Sequence, residues 1–476
     1  MVYSEDYKKL VDATALKDKY YEIDERVEEI CKEAFKGCDK LEEIVMPKKL
    51  KKIDSEAFQG CSSLTKLTLP DSVMSIGKGA FCGCSGLTEL TLPNSVRLIE
   101  VFAFEGCSGL TKLTLPDSIT SIGDCAFYGC SGLTELTLPN SVKSIGESAF
   151  CGCSGLEKIM VESGNSRYDS RDNCNSIIDT ETNTLIVGCK NSVIPNGVTS
   201  IGDSAFGWCS ELTELVLPNS VTSIVESAFA YCSGLEKITV ESGNSRYDSR
   251  DNCNSIIETE TNTLIAGCKN SIIPNSVTSI GYSAFRGCSG LTELTLPKSV
   301  TSIGDCAFEG CSGMTELTLP NSVMSIGRSA FSGCSGLTEL TLPSSVTRIG
   351  NSAFYGCSGL TELTLPNSVM SIGRSAFGGC SGLTELTLSN SVTSIGGYAF
   401  AYCCGLVKIT SLAEIPPVCG FKVFNGVNKT NCELIVPEES ITAYKQAYGW
   451  NGFSNIRGFS GVEVTVADKT RKIVVE

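Results

Sequence analysis

The chain contains no histidine. That absence removes the commonest general base, the usual partner of a nucleophilic serine or cysteine, and the commonest metal ligand. No G-x-S-x-G elbow, phosphate-binding loop or H-E-x-x-H motif occurs either. Long apolar runs are missing too, so no stretch reads as a membrane-spanning helix. The start, MVYSEDYKKLV, lacks the apolar core of a secretory signal, which leaves two expectations: a protein that stays inside the cell, or one whose signal lies outside this chain. Positive charge is in short supply: 38 Lys and Arg face 53 Asp and Glu, a net charge of −15. Phosphate binding needs a basic face, so nucleic acid is not an expected partner.

What is abundant is cysteine, 26 in all, and its spacing is regular. Cysteines fall at Cys38, Cys61, Cys84, Cys107, Cys130 and Cys153, then Cys209 and Cys232, then Cys288, Cys311, Cys334, Cys357, Cys380 and Cys403. Each step is 23 residues except Cys153 to Cys209 and Cys232 to Cys288, which are 56 each. A fixed period in this range marks a solenoid, in which each repeat buries its apolar face against its neighbours. The repeat cysteines read as small buried thiols packed in the core.

Cys357 to Gly379, CSGLTELTLPNSVMSIGRSAFGG, is a typical unit. Leu363 and Leu365 alternate with Glu362 and Thr364, which predicts a strand with one buried face. Pro366 stops the ladder and Asn367-Ser368 turns the chain. Val369 and Ile372 return apolar groups to the core, and Gly373 is expected to take a positive φ. Ser375-Ala376-Phe377 predicts a short helical turn on the outer side. Phe377 belongs to a series running from Phe35 to Phe400, one per coil, that predicts a stacked aromatic spine.

The pattern LxxLxLPxSVxxIGxxAFxxC, recurring 14 times from about Leu16 to Ile409, resembles the bacterial BspA-like leucine-rich repeat class, also called the Treponema pallidum type. The resemblance implies an α/β-type but mostly β leucine-rich repeat solenoid, a right-handed coil with a parallel sheet on its concave side and short helical turns on its convex side. It also implies a cell-surface or secreted protein that binds partner macromolecules; a cytoplasmic protein is the alternative.

Each 56-residue step carries SGNSRYDSRDNCNSII, an acidic TETNTLI stretch and a return to IPN. Ser176-Ile177-Ile178 and Thr184 to Val187 flank Thr180 to Asn183, which predicts a hairpin protruding between two coils, with Ser192 to Pro195 re-entering the sheet as a strand. Sixteen strands are then expected in the LxL sheet. Counting outward from the loop places Cys174 opposite Cys189, and Cys253 opposite Cys268, as the two candidate disulfides. The expected organisation is a charged N-terminal cap with a degenerate repeat (1–37), the solenoid (38–410) with its double repeats at 154–209 and 233–288, a C-terminal cap (411–460), and a terminal strand segment or linker (461–476).

Two surfaces are candidate partner sites. Glu293, Glu316, Glu339, Glu362 and Glu385 occupy one exposed strand position in successive coils, where like charges about 4.8 Å apart repel. Such a row suits a basic partner or a cation; a recently copied unit is the bland alternative. The double repeats present Arg167, Tyr168 and Arg171, and again Arg246, Tyr247 and Arg250, residue types that often carry interfaces. Asp–Arg pairing within the hairpin is the equally weighted alternative. The short pairs Cys82-x-Cys84 and Cys151-x-Cys153 lie three coils apart, so they do not assemble a four-ligand metal site. No metal or cofactor is expected. The sequence reads as a non-enzymatic, adhesin-like scaffold for a protein or glycan ligand; an intracellular or structural scaffold that self-assembles or binds a cellular protein is the rival.

Overall fold

The computed structural model describes residues 1–459. The segment 461–476, read above as a strand segment or linker, lies outside the described residues. The chain divides into two compact units, Met1–Cys232 with Glu241–Ser245, and Ser233–Val240 with Arg246–Glu476. Both are stacks of β-solenoid coils.

Most coils contribute two short strands, and only the first was legible in the alternation; the coil of Glu293 has the second strand alone. Around Cys357 these are Glu362–Thr364 and Ser371–Ile372. The longer ladders run through the second strand. In the first unit, parallel rungs at Glu29–Ile30, Lys52–Ile53, Ser75–Ile76, Leu98–Ile99, Ser121–Ile122 and Ser144–Ile145 belong to one eight-stranded sheet. In the second unit a ten-stranded sheet ends in Ser302–Ile303, Ser325–Ile326, Arg348–Ile349, Ser371–Ile372, Ser394–Ile395 and Val418–Cys419. The LxL positions do not form the single sixteen-strand sheet expected. They pair in separate sheets, such as Glu316–Thr318 with Glu339–Thr341. Where a proline follows the LxL triplet it has no N–H to donate, so these strands end after three or four residues.

The glycine after the second strand has a different role from the one expected. Gly373 is not among the positive-φ residues. A Cβ there would lie 2.6 Å from the Gly350 carbonyl carbon, so the glycine is required by close coil-to-coil approach. The left-handed positions are Ser375 (φ +53°) and Gly379 (φ +75°). A left-handed residue interrupts a helix, and the expected helical turn is instead a run of hydrogen-bonded turns. Alternate amides close those turns, Ala353 N to Gly350 O at 3.3 Å and Tyr355 N to Ser352 O at 3.0 Å. The amides between them donate to the next coil: Ser352 N to Arg374 O at 2.8 Å, Phe354 N to Ala376 O at 2.8 Å and Gly356 N to Gly378 O at 2.7 Å. This third face is thus also a hydrogen-bonded ladder.

The core is columnar. Phe35, Phe58, Phe81, Phe104, Phe127 and Phe150 stack with centroids 4.8 to 5.4 Å apart. Phe285, Phe308, Phe331, Phe354, Phe377 and Phe400 repeat this in the second unit, at 5.1 to 5.5 Å. Beside the rings the repeat cysteines are buried, and in the regular coils the thiol donates to the phenylalanine carbonyl of the preceding coil: Cys357 Sγ to Phe331 O at 3.3 Å, Cys84 Sγ to Phe58 O at 3.2 Å. A valine would pack there but would leave that donor out.

The double repeats depart from expectation in detail. Ile177–Asp179 and Thr184–Val187 do form a hairpin. It does not protrude between coils, because Thr184–Val187 pairs in parallel with Ser200–Ile201 and so is itself a rung of the second-strand sheet. Ser192 to Pro195 is not a strand; Val193 N donates to Cys174 O and Ser192 Oγ to Asn175 O, tying this segment to the loop before the hairpin. At the C-terminal end, strands Glu433–Pro437 and Asn455–Phe459 flank a short helix, Ile441–Gln446, over a cluster of Phe424, Tyr444, Trp450 and Phe453.

Candidate functional site

Glu293, Glu316, Glu339, Glu362 and Glu385 all lie in the second unit and all are exposed. Their neighbours in sequence, Leu317, Leu340, Leu363 and Leu386, point inward, so the strand's alternation forces the carboxylates outward. Register places Glu316 opposite Glu339 and Glu362 opposite Glu385. The row ends at Lys408, whose Nζ sits 3.3 Å from Glu385. Among the described residues, Glu293, Glu316, Glu339 and Glu362 have no ion pair within 4.0 Å. In the first unit the same strand position alternates in sign, and Lys66 reaches Glu43 at 3.7 Å.

The structure adds a groove beside the row. Thr318, Thr341 and Thr364 occupy the next outward position, and with Pro320, Pro343, Pro366 and Lys298 they border a shallow groove of about 930 Å³. The recurring Glu-x-Thr-x-Pro spacing is the signal that marks it.

The hairpin residues take up internal partners. Arg167 pairs with Asp179 at 2.9 Å and also with Glu181. Arg171 holds Asp169 through two nitrogens and donates to Asn183 Oδ1. The second copy repeats this with Arg246 on Glu258 and Arg250 on Asp248, Asn262 and Ser276. Tyr168 is only 4% exposed and its hydroxyl accepts from Ile145 N; Tyr247 is 3% exposed. This geometry fits residues that hold the hairpin against the coil.

The candidate disulfides are displaced by a β-bulge. Asp179 faces Thr184 and Ile178 faces Leu185, but Ile177 then faces Val187. The extra residue moves the register by one. Cys189 Sγ accordingly meets Asn175 O at 3.5 Å, and Cys174 Sγ turns to Ser176 O at 3.8 Å. The same shift between Ile256 and Ile257 brings Cys268 to Asn254. All 26 cysteines are free thiols. Burial pushes the thiols of Cys61, Cys288 and Cys334 up to about 12, so they are protonated donors. No cluster of three or more metal-ligating side chains forms among the described residues.

Comparison with known proteins agrees with this architecture. The family model for the BspA type leucine-rich repeat region matches residues 15–110, 74–186, 177–265, 265–358 and 308–431. A leucine-rich repeat protein from Eubacterium ventriosum is 23% identical, with 67% of this chain and 83% of that one covered and a TM-score of 0.51. A leucine-rich cell surface protein from Faecalibacterium prausnitzii is 25% identical over 85% of this chain and 83% of that one, with a TM-score of 0.37. A leucine-rich repeat protein from Bacteroides ovatus is 25% identical over 86% and 88%, also at 0.37. No curated protein matches the chain. With the family match running almost unbroken from residue 15 to residue 431, and the coil geometry repeating in both units, the chain belongs to the BspA-type leucine-rich repeat family.

Proposed function

We propose that the chain is a non-enzymatic binding protein, adhesin-like and displayed outside the cell, that engages a basic protein or glycan through its row of glutamates. The observation that carries this reading is the row itself: consecutive outward carboxylates, Glu316 to Glu385 on strands, repelling one another and without an ion pair among the described residues except at Glu385. Like charges opposed on adjacent strands destabilise the fold, and a cationic partner would relieve that cost. The groove beside the row adds an uncharged lip of threonine and proline suited to a polymer backbone.

The experiment is a binding screen of the purified chain against extracellular-matrix proteins and glycans, followed by a salt titration of any ligand found. Binding should weaken steeply as salt screens the row, and Glu339→Lys with Glu362→Lys should abolish it. A ligand bound equally well by that double variant does not use the row.

The intracellular scaffold remains the second reading, favoured by one observation: every cysteine, Cys404 at the surface included, is a thiol.

A further inference from the structure

The phenylalanine column of the first unit has a gap. It runs without interruption to Phe150 and resumes at Phe206. Between them the chain passes from strand Thr184–Val187 directly to Gly188 and Cys189 and omits the Ala-Phe turn. The inner part of that level is filled, because Phe206 packs against Gly188 and Gly188 N donates to Ala205 O at 2.7 Å. The outer part is not. The turns 146–151 and 202–207 touch at one end, Gly152 N to Gly207 O at 3.3 Å, and diverge at the other. The wedge between them is a cleft of about 180 Å³. A dry cavity of about 150 Å³ is enough to hold benzene.

The cleft's walls carry information about what would fill it. One coil earlier, Cys125 N donates to Glu147 O at 2.9 Å and Phe127 N to Ala149 O at 2.8 Å. The same two donors of the next coil, Ser148 N and Phe150 N, have no hydrogen bond among the described residues and lie at the cleft wall. Glu147 and Asp203 stand on its two sides, both carboxylates, with no ion pair within 4.0 Å among the described residues. The site therefore offers two backbone donors, an open space of aromatic size with both polar and apolar walls, and a pair of negative charges.

We infer that this cleft binds a peptide segment in which a basic residue precedes an aromatic one by three positions, the two bracketing backbone carbonyls that satisfy Ser148 N and Phe150 N. The spacing comes from the missing turn. In coils that have it, Gly373-Arg374-Ser375-Ala376-Phe377-Gly378 for instance, the residue after the glycine stands where a ligand's cation would meet Glu147 and Asp203, and the phenylalanine follows three later. Main-chain bonding of this kind supplies affinity, and the ring and the cation supply selection. The site is separate from the glutamate row, so neither proposal depends on the other.

The test uses the intact chain and the probe acetyl-Gly-Arg-Ser-Ala-Phe-Gly-amide. Amide hydrogen exchange is followed at Ser148 and Phe150, with Cys125 and Phe127 as internal references. In the free protein the first pair should exchange much faster than the second, and saturating probe should slow them by about tenfold or more. Replacing the probe's phenylalanine by alanine, or its arginine by glutamate, should remove the protection. Cys151→Trp, which fills the cleft, should abolish binding, whereas Cys151→Ser should retain it. Slow exchange at Ser148 and Phe150 in the free protein overturns the inference, as does equal protection by the alanine probe or no protection at millimolar peptide.

Discussion

The cysteine and phenylalanine of each coil act together. The phenylalanine ring fills the column, and its carbonyl accepts both the amide of its own coil's cysteine and the thiol of the next, as Phe331 O does from Cys334 N and Cys357 Sγ. Phe354→Ala removes a fully buried ring stacked on both sides and should cost about 3–5 kcal/mol, read by chemical denaturation. Alkaline titration tests the thiols. The folded values of Cys61, Cys288 and Cys334 lie above the unfolded one near 9, at about 12. Above pH 9 the unfolded chain holds fewer protons than the folded one, so stability present below pH 9 should fall as pH rises toward 12. Each thiol contributes at most about 1.4 kcal/mol per pH unit to that loss. A denaturation midpoint flat from pH 8 to 11 would contradict the burial of this column. The columns themselves were legible as a sequence period. The role of Gly373 was not, because nothing in one coil's sequence says whether a glycine serves a left-handed turn or the approach of the coil behind it.

At the scale of the element, the double repeat shows where counting residues fails. The loop and the first two pairs of the hairpin follow from the sequence, and a single bulged residue then reverses what faces what. The alternation of Ile177-Ile178 against Leu185-Ile186-Val187 contains no mark of the bulge, since all five residues are apolar and fit either register. Alkylation of folded, oxidised protein followed by mass spectrometry should find no Cys174–Cys189 or Cys253–Cys268 cross-link. The arginines of this element serve its stability. Arg171→Ala removes the bidentate hold on Asp169 and the bond to Asn183 together, and should lower local stability by roughly 1 kcal/mol, seen as faster amide exchange across residues 168–187. The second strand of each coil was invisible for a related reason: two residues, Ser-Ile, are too few to show an alternation, although their ladder is the longest in either unit.

At the scale of the molecule, coil joins coil within each run of regular repeats by the same bonds shifted by 23 residues: Phe331 N reaches Ala353 O, and Phe354 N reaches Ala376 O. A consequence follows for length. Excising residues 334–356 would bring Gly333 to Cys357 and offer Phe331 N the carbonyl of Ala376, in an environment nearly the same as the one it lost. Both ends of the chain would be untouched, and the glutamate row would lose Glu339 while keeping its spacing. Such a deletion should fold, with circular dichroism of unchanged shape and a single cooperative transition close to that of the parent. Removing 12 residues instead should prevent folding, because no rung would find its partner. A chain built this way can be shortened or extended by whole coils, so its reach is a quantity that copy number sets, independently of the surface each coil presents.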